Sequence, residues 1–337
     1  MNQQENLPKF IIVIGTSAGG INALEKLLPQ LEPTIDASIF IVNHFSRKGI
    51  GNTFVERLKK VSKLPCSLAE NEKPFEKGQI YLAPPDYHLL IEPNRMLLGK
   101  GAPENRWRPS VNNLFRSAAA HFSSSVIGII LSGMLDDGTI GMVSIKKCGG
   151  ISIIQDPMEA DYPGMPKSVL ENVEVDHVVP LERMGELLKD IISTIQPQKT
   201  EVPKEVMFEA DLDKRVSTHI ENLANLEKLD ISCPDCGGGL YVTQKDGPAV
   251  HYRCHVGHSF TDKELLISVS EELESTFWKS LRMMEERRTL LRRLYHRDLD
   301  RGYKLSASMH EKSAQDMDVH IENLKQILFS STNLDED

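Results

Sequence analysis

The sequence has no apolar run long enough to cross a membrane, and its N-terminus lacks the basic and apolar regions of a secretory signal. It has no excess of basic residues, since 39 Lys and Arg stand against 48 Asp and Glu. This balance argues against a broad basic surface for nucleic acid or anionic lipid. Five cysteines, an odd and unevenly spread set, argue against a disulfide framework and for a reducing compartment. We therefore expect a cytoplasmic protein without membrane insertion and without a nucleic-acid partner.

Residues from about 8 to 196 alternate short apolar runs with amphipathic segments. Runs such as FIIVIG and ASIFIVN are typical of buried strands, and helical patterns such as VNNLFRSAAAHF lie between most of them. The alternation predicts an α/β domain with a doubly wound, mostly parallel sheet. HLLIEPNRMLLG, residues 88–99, differs because two apolar stretches flank Pro-Asn, which predicts a hairpin inserted at one edge.

The second half of the chain changes in character. Residues 197–229 carry two prolines and many charges in their first part, which predicts a linker with room for a short helix. Three of the cysteines follow, and beyond them apolar residues recur every three or four positions, with an interruption at Arg301-Gly302. We expect an α/β domain over 1–196, the linker, a Cys/His module over 230–260, and a C-terminal helical hairpin and tail over 261–337.

A glycine-rich turn, Gly15-Thr16-Ser17-Ala18-Gly19-Gly20, follows the first predicted strand. It fits neither nucleotide-binding fingerprint well, because Ser17 stands at the second glycine of G-x-G-x-x-G and no lysine occupies a Walker position. It does fit G-x-S-x-G, in which a tight turn exposes a serine hydroxyl beside free N–H groups at a helix start. Ser17 is therefore a candidate nucleophile, and a helix N-cap is the alternative interpretation.

Two further polar residues follow predicted strands. His44 comes directly after ASIFIVN, and Asp137 lies just past VIGIILSG. Because the carboxyl ends of parallel strands share one edge of the sheet, we predict that Ser17, His44 and Asp137 meet there as nucleophile, base and orienting acid. Taken singly, His44 is also explained as a polar strand-end residue, and the Asp-Gly step as turn chemistry. The chain order Ser, His, Asp disfavours an α/β-hydrolase.

Six motifs in order resemble the catalytic domain of the chemotaxis protein-glutamate methylesterases, the CheB type, over about residues 8–195. They are IGTSAGG, IVNHFS, IYLAPPDYHL, RPSVNNLFRSAA, LSGMLDDGTIGM and QDPMEADYPGMP. The resemblance implies hydrolysis of glutamate γ-methyl esters on chemoreceptors, deamidation of glutamines in many members, and no cofactor for catalysis. It implies Ser17, His44 and Asp137 as the triad, and Met134 and Ala18 as residues that hold the oxyanion or substrate.

The chain departs from the family pattern at several places. Ala18 stands where threonine is frequent, Leu135-Asp136 where Gly-Asn is frequent, and Asn112 where aspartate is frequent. Two adjacent carboxylates therefore compete for the role of acid, and Asp137 is favoured because it directly precedes Gly138. Typical members begin with a phosphoacceptor receiver domain, whereas the catalytic motifs here begin near residue 10, which predicts a receiver-less member.

The expected partners are a methylated chemoreceptor-like protein and a separate response regulator or methyltransferase. Two other functions stay open on the sequence: a hydrolase of another protein ester or amide, and a non-catalytic signalling scaffold. We expect a fragment of residues 1–196 to be active, since it holds the whole predicted triad.

The cysteine cluster has the spacing of a metal site. Cys233-Pro-Asp-Cys236 is followed after 17 residues by Cys254-His-Val-Gly-His258, and a hairpin about Asp246-Gly247 is expected between the two pairs. We predict a zinc-ribbon-like module in which Cys233, Cys236, Cys254 and His258 hold a structural zinc, with His255 as the alternative fourth ligand. Similar modules followed by a helical hairpin accompany receiver-less domains of the family that the chain resembles.

Overall fold

The computed structural model describes residues 8–44, 51–198, 200–214, 223, 226–244 and 250–331. The chain divides into two compact units, residues 1–264 and residues 265–337. Among the described residues, no helix has the length and apolar character needed to span a membrane.

The first unit is built on a seven-stranded sheet in which all neighbouring strands are parallel. The strands, numbered along the chain, are β1 (Phe10–Thr16), β2 (Ala37–Asn43), β3 (Cys66–Leu68), β4 (Ile80–Leu82), β7 (Val126–Ile130), β8 (Ile151–Gln155) and β9 (His177–Val179). Their order across the sheet is β3-β4-β2-β1-β7-β8-β9. The predicted parallel α/β sheet is confirmed, and β3 is an additional strand that the sequence pattern did not indicate.

Helices cover both faces of the sheet, which explains why β1 and β2 are buried along their whole length and mostly apolar. Phe10, Ile12 and Ile14 of β1 pack into one core, and Ile11 and Val13 pack into the other. The first core holds α1 (Gly20–Leu27), α2 (Gly51–Lys59) and α6 (Leu181–Thr194). The second core holds α3 (Val111–Phe122), α4 (Thr139–Lys147), α5 (Gly164–Asn172) and α7 (Lys204–Asp213).

Two segments differ from the sequence-based expectation. The predicted hairpin is present as β5 (His88–Glu92) and β6 (Arg95–Gly99), but it forms its own two-stranded sheet rather than an edge of the main one. It packs against α3, where the Ser117 hydroxyl accepts a hydrogen bond from the Ile91 N–H at 3.1 Å. The segment expected to be a linker with room for a short helix does contain one, α7, but this helix buries Val206 and Ala210 against the same core.

The Cys/His region forms a four-stranded antiparallel sheet within the first unit. Its strands are β10 (Lys228–Ser232), β11 (Gly239–Gln244), β12 (His251–Cys254) and β13 (Ser259–Thr261), in that order. We call residues 228–261 the Cys/His module. The predicted turn at Asp246-Gly247 lies outside the described residues, although the strands on either side of it pair with each other.

Two long helices follow, α8 (Asp262–Asp300) and α9 (Lys304–Ser331). The predicted interruption at Arg301-Gly302 is confirmed, and Gly302 takes a φ of 78° there. Within the second unit the helices share an apolar cluster and are linked by ion pairs from Arg288 and Arg292 to Asp318. The buried members of the cluster are Leu281, Met317, Ile321, Leu324 and Leu328.

Candidate functional site

Three polar residues lie at the carboxyl edge of the central strands. Ser17 follows β1, His44 follows β2, and Asp137 lies in the turn between β7 and α4. Because β2, β1 and β7 are adjacent in the sheet, the topology alone brings these three positions together. The chain also changes direction across the sheet at β1, and such a switch point is where open α/β sheets bind ligands.

The three side chains form a continuous hydrogen-bonded chain. Ser17 Oγ lies 3.2 Å from His44 Nδ1, and His44 Nε2 lies 2.7 Å from Asp137 Oδ2. The side chains of His44 and Asp137 are only 1% and 2% exposed, whereas Ser17 is half-buried. A neutral imidazole that accepts a hydrogen bond from the Ser17 hydroxyl at Nδ1 carries its proton on Nε2, and this N–H donates a hydrogen bond to the Asp137 carboxylate.

Helix α3 holds the Asp137 carboxylate in place. The N–H groups of Val111 and Asn112 donate to it at 2.7 and 3.2 Å, and the Ser110 hydroxyl donates at 2.9 Å. The Asn112 side-chain oxygen in turn accepts from the N–H groups of Gly138 and Gly141, which ties the helix to the turn that carries Asp137. The RPSVNN motif therefore aims the carboxylate at His44.

The two glycines after Ser17 allow the tight strand-to-helix turn. Gly19 has a φ of 74°, and a side chain there would meet Ser132 Oγ at 2.5 Å. A side chain on Gly20 would lie 2.2 Å from Thr16 Oγ1. Gly19, not Ser17, is the N-cap of α1, and no side chain caps that helix. The interpretation of Ser17 as a helix cap is therefore wrong.

Asp136 and Asp137 point in different directions. Asp136 is buried, and its Oδ2 accepts a hydrogen bond from Thr261 Oγ1 at 2.6 Å. Burial raises the pKa of Asp136, with the neighbouring Asp137 charge adding to the effect and the Thr261 hydrogen bond opposing it. Only Asp137 of the two is hydrogen-bonded to His44. The contact of Asp136 with the Cys/His module was not foreseen from the sequence.

The turn that contains Met134 runs beside Ser17. A side chain on Gly133 would place its Cβ 3.1 Å from Ser17 Cβ, and the Met134 side chain is 56% exposed. Within the described part of the chain, neither the Ala18 N–H nor the Met134 N–H has a hydrogen-bond acceptor. An open groove adjoins Ser17, and its lining includes Ala18, Gly19, Ile21, Asn22, Asn43, His44 and Arg57.

Trp107 is a site residue that the sequence-based reasoning missed. Its ring stacks on the His44 imidazole with centroids 4.2 Å apart and planes inclined by 6°. The available signal was its place in the segment RWRPSVNN, directly before the motif that holds Asp137. The next residue, Arg108, pairs with Asp86 through Nε and Nη2 at 3.0 and 2.7 Å, which links the motifs IYLAPPDYHL and RPSV.

The second predicted group of residues also comes together. The ligand atoms of Cys233, Cys236, Cys254 and His258 all lie within 4.8 Å of one another. Two tight turns present them, with the Gly237 N–H donating to Cys233 O and the Gly257 N–H donating to Cys254 O. His255 is not part of this group, and its imidazole lies against Gly238.

The sequence profile that describes the CheB methylesterase family matches residues 12–188. The chain belongs to the CheB methylesterase family. This confirms the resemblance inferred from the six motifs. The match ends before α7, so the Cys/His module and the two long helices lie outside the matched region.

Named relatives and a solved structure agree with the family. A Leptospira interrogans protein named "Putative protein-glutamate methylesterase/protein-glutamine glutaminase" is 40% identical over 177 residues, which cover 52% of this chain and 91% of that protein. A Pyrococcus horikoshii protein-glutamate methylesterase/protein-glutamine glutaminase is 34% identical over 192 residues, 56% of this chain and 52% of that one. The Thermotoga maritima CheB methylesterase catalytic domain matches with a TM-score of 0.52 and 34% identity, covering 55% of this chain and 98% of the domain.

Proposed function

We propose that this chain hydrolyses glutamate γ-methyl esters on chemoreceptor-like signalling proteins, with Ser17 as nucleophile, His44 as base and Asp137 as orienting acid. The observation that carries the proposal is the hydrogen-bonded chain from Ser17 through His44 to Asp137, at the strand ends of a domain that belongs to a methylesterase family. The exposed groove beside Ser17 suits a side chain presented on the surface of a protein substrate.

The first half of the reaction forms an acyl-enzyme. His44 Nδ1 takes the Ser17 proton while Oγ attacks the γ-carbonyl carbon, and the carbonyl electrons move to oxygen. The free N–H groups of Ala18 and Met134 are the proposed donors to this oxyanion. When the intermediate collapses, the bond to the methoxy oxygen breaks, the leaving oxygen takes the proton from His44, and methanol departs.

The second half returns the enzyme to its starting state. His44 takes a proton from water, the water oxygen attacks the glutamyl ester on Ser17, and Oγ leaves with the proton. Asp137 accepts a hydrogen bond from the Nε2–H group throughout, without taking the proton, so it stabilises the imidazolium and holds the ring in place. Four hydrogen bonds converge on its carboxylate, which keeps that orientation fixed.

Glutamine deamidation is a second proposed activity of the same site. The relatives are named protein-glutamine glutaminases as well as methylesterases. A glutamine would form the same acyl-enzyme, with His44 giving its proton to the departing ammonia. Both activities depend on one nucleophile, so one substitution is expected to remove both.

The test is release of methanol from a methylated chemoreceptor by the wild type and by Ser17→Ala. We expect the variant to lose activity by a factor on the order of 10⁴ or more. Ser193→Ala is the matched control, because the hydroxyl of that serine donates to Asp190 O within α6, away from the strand-end site. Labelling of the wild type by a fluorophosphonate at Ser17 would exclude the scaffold function. Near wild-type release by Ser17→Ala would refute the assignment.

We also propose that the Cys/His module holds one structural zinc through Cys233, Cys236, Cys254 and His258. Zinc–sulfur bonds of about 2.3 Å in a tetrahedron place ligand atoms about 3.8 Å apart. The distances fit: 3.6 Å between the sulfurs of Cys236 and Cys254, and 3.7 and 3.6 Å from His258 Nδ1 to those of Cys233 and Cys254. Four protein ligands close the site, so the metal would stabilise the module rather than take part in the reaction.

A further inference from the structure

The stack of Trp107 on His44 constrains the base of the proposed reaction. Imidazole nitrogens donate and accept hydrogen bonds in the plane of the ring, so such bonds do little to resist tilting of the ring out of that plane. Trp107 lies parallel to the ring at a centroid distance of 4.2 Å, and so opposes this tilt. A flat aromatic surface in this position keeps Nδ1 directed at Ser17.

Trp107 sits in a short segment whose backbone is unusual. The N–H groups of Glu104 and Trp107 each donate to the carbonyl of the other residue, at 3.1 and 2.9 Å. Between them, Asn105 and Arg106 both take left-handed conformations, with φ of 47° and 67°. Two consecutive non-glycine residues of this kind are unfavourable alone, so the surroundings must hold the segment in this shape.

The Cys/His module provides much of that support. The Asn105 N–H donates to Ser259 O at 2.9 Å, and the Asn105 side-chain oxygen accepts from the Thr261 N–H at 3.3 Å. Both partners belong to β13. Thr261 also donates to Asp136, the neighbour of Asp137, at 2.6 Å. The same short strand of the module therefore contacts the segment of Trp107 and the turn of Asp137.

Buried charges strengthen this junction. Glu104 is 1% exposed and pairs with Arg116 of α3 and, at 3.5 Å, with His251 of β12. Arg253 of β12 reaches Asp213 of α7 at 2.8 Å, and Asp213 also pairs with Arg116. Separating the module from the α/β domain would remove partners from several of these charges, so separation would be costly.

We infer that Trp107 is a positioning residue for His44, and that the Cys/His module holds Trp107 in place. The inference rests on the proposed function only where activity is the readout. It changes the expectation for the fragment 1–196, which keeps Ser17, His44 and Asp137 but lacks Asp213, Ser259 and Thr261. We therefore expect the His44 side chain to be poorly ordered in that fragment.

The first test follows Trp107 by fluorescence in the full-length chain. The sequence has two tryptophans, so Trp278→Phe leaves Trp107 as the sole reporter. In that background, Asn105→Gly with Thr261→Val removes two side-chain contacts of the junction while glycine retains the left-handed backbone. We expect quenching of Trp107 by acrylamide to rise about twofold, because a segment with fewer contacts opens more readily to solvent.

A matched double variant is the control for this test. Asn71→Gly removes a comparable bond, from the Leu98 N–H to a side-chain oxygen at 2.9 Å, and Thr194→Val removes a hydroxyl bond within α6. We expect this variant to leave the quenching of Trp107 unchanged. Equal quenching in the junction variant and in the parent Trp278→Phe chain, with both folded by circular dichroism, would overturn the role of the module.

The second test separates positioning from structure by kinetics. Trp107→Leu is expected to lower kcat for methanol release by about tenfold to a hundredfold with KM nearly unchanged, because a small misplacement of a reacting group has effects of this size. Trp107→Phe keeps a flat ring and is expected to recover most of the loss. Wild-type kcat in Trp107→Leu, or equal losses in both variants, would overturn the positioning role.

If the wild type releases no methanol, the proposed substrate is wrong. The rate at which a fluorophosphonate labels Ser17 then replaces kcat in the same comparison. If Ser17 is not labelled either, the fluorescence experiment still tests the inference. In that experiment His44→Ala should change the emission of Trp107, because it removes the ring on which Trp107 stacks.

Discussion

The strand-end site and the junction with the Cys/His module are both buried and polar, but they are assembled differently. At the site, each side chain follows a strand, so the order of strands in the sheet determines which residues meet. At the junction, charges from α3, α7 and β12 meet, and Arg116 pairs with Asp213 across 97 positions of sequence. The order of the strands brings the residues of the strand-end site together, whereas charge complementarity brings together those of the junction.

The difference shows in the electrostatics. Burial alone would raise the pKa of Glu104, but the charge of Arg116, together with hydrogen bonds to the carboxylate, holds that pKa well below its usual value. Burial would likewise lower the pKa of Arg116, but Asp213 and Glu104 hold it well above its usual value. Each ion at the junction is therefore stable only while its partners are present. The strand-end site depends instead on hydrogen bonds from a helix N-terminus.

The largest effect that would test this comparison is on catalysis. Asp137→Asn should lower kcat by a factor on the order of 10⁴, because an amide cannot hold the imidazole in the required protonation state. Asp136→Asn is the matched control and should change kcat less than about tenfold, since an amide oxygen can still accept from Thr261. Steady-state methanol release measures both. The opposite ranking would mean that Asp136 is the orienting acid.

The next largest effect concerns the module. Cys233→Ser should release the metal and loosen residues 228–261, because metal binding supplies much of the folding free energy of so small a unit. Elemental analysis should find about one zinc per wild-type chain, and hydrogen exchange should rise in the module of the variant. Cys66→Ser, at a buried cysteine outside the module, should leave the zinc content unchanged. A wild-type chain without metal would refute the zinc site.

A smaller effect distinguishes buried from exposed ion pairs. Arg116→Met should lower the free energy of unfolding by about 3 to 5 kcal/mol, because it leaves the carboxylates of Glu104 and Asp213 buried with fewer partners. Arg95→Met removes an arginine paired with Glu92 on the surface, and should cost less than about 1 kcal/mol. Urea denaturation of the two variants checks this. Similar costs would mean that the junction contributes no more than a surface pair.

The smallest effect is on the dependence of stability on pH. Hydrogen bonds from Lys100 and Arg108 lower the pKa of Asp86 to about 2. Because the Asp86 carboxyl has a lower pKa in the folded than in the unfolded protein, it stabilises the fold at pH values above its unfolded-state pKa. This contribution is lost as the pH falls from about 4 to about 2. Asp86→Asn should therefore cost about 1 to 2 kcal/mol at pH 7 and almost nothing near pH 2. An equal cost at both pH values would contradict the ion pair.

Local signals account for most of what the sequence predicted. The apolar runs of β1 and β2 and the bounds of α3 follow from periodicity, because each element has its own apolar pattern. The short strand β3 and the helix α5 lack such patterns. Likewise, the charged residues of α7 suggested a solvated linker, yet Asp213 is buried. Its partners, Arg116 and Arg253, come from distant parts of the chain, so no local sequence pattern predicts these ion pairs.

The site shows the same division. Ser17, His44 and Asp137 could be placed on one rim because each follows a recognisable strand, and the structure brings them within hydrogen-bonding distance. The stack of Trp107 on His44 could not be predicted, because it depends on a segment folded by contacts with β13. Reasoning from the sequence identified the three residues proposed to react, but not Trp107, which we infer restrains the ring of His44.

The burial of Arg116 has a consequence for the order in which the chain is made. Asp213 leaves the ribosome 97 residues after Arg116, a delay of about 5 to 20 seconds at ordinary synthesis rates. Arg253, which shares Asp213 with Arg116, follows 40 residues later still. During this interval the α/β sheet can form, but Arg116 has only Glu104 as a partner. We therefore expect the nascent domain to be less stable until Asp213, and then the Cys/His module, have emerged.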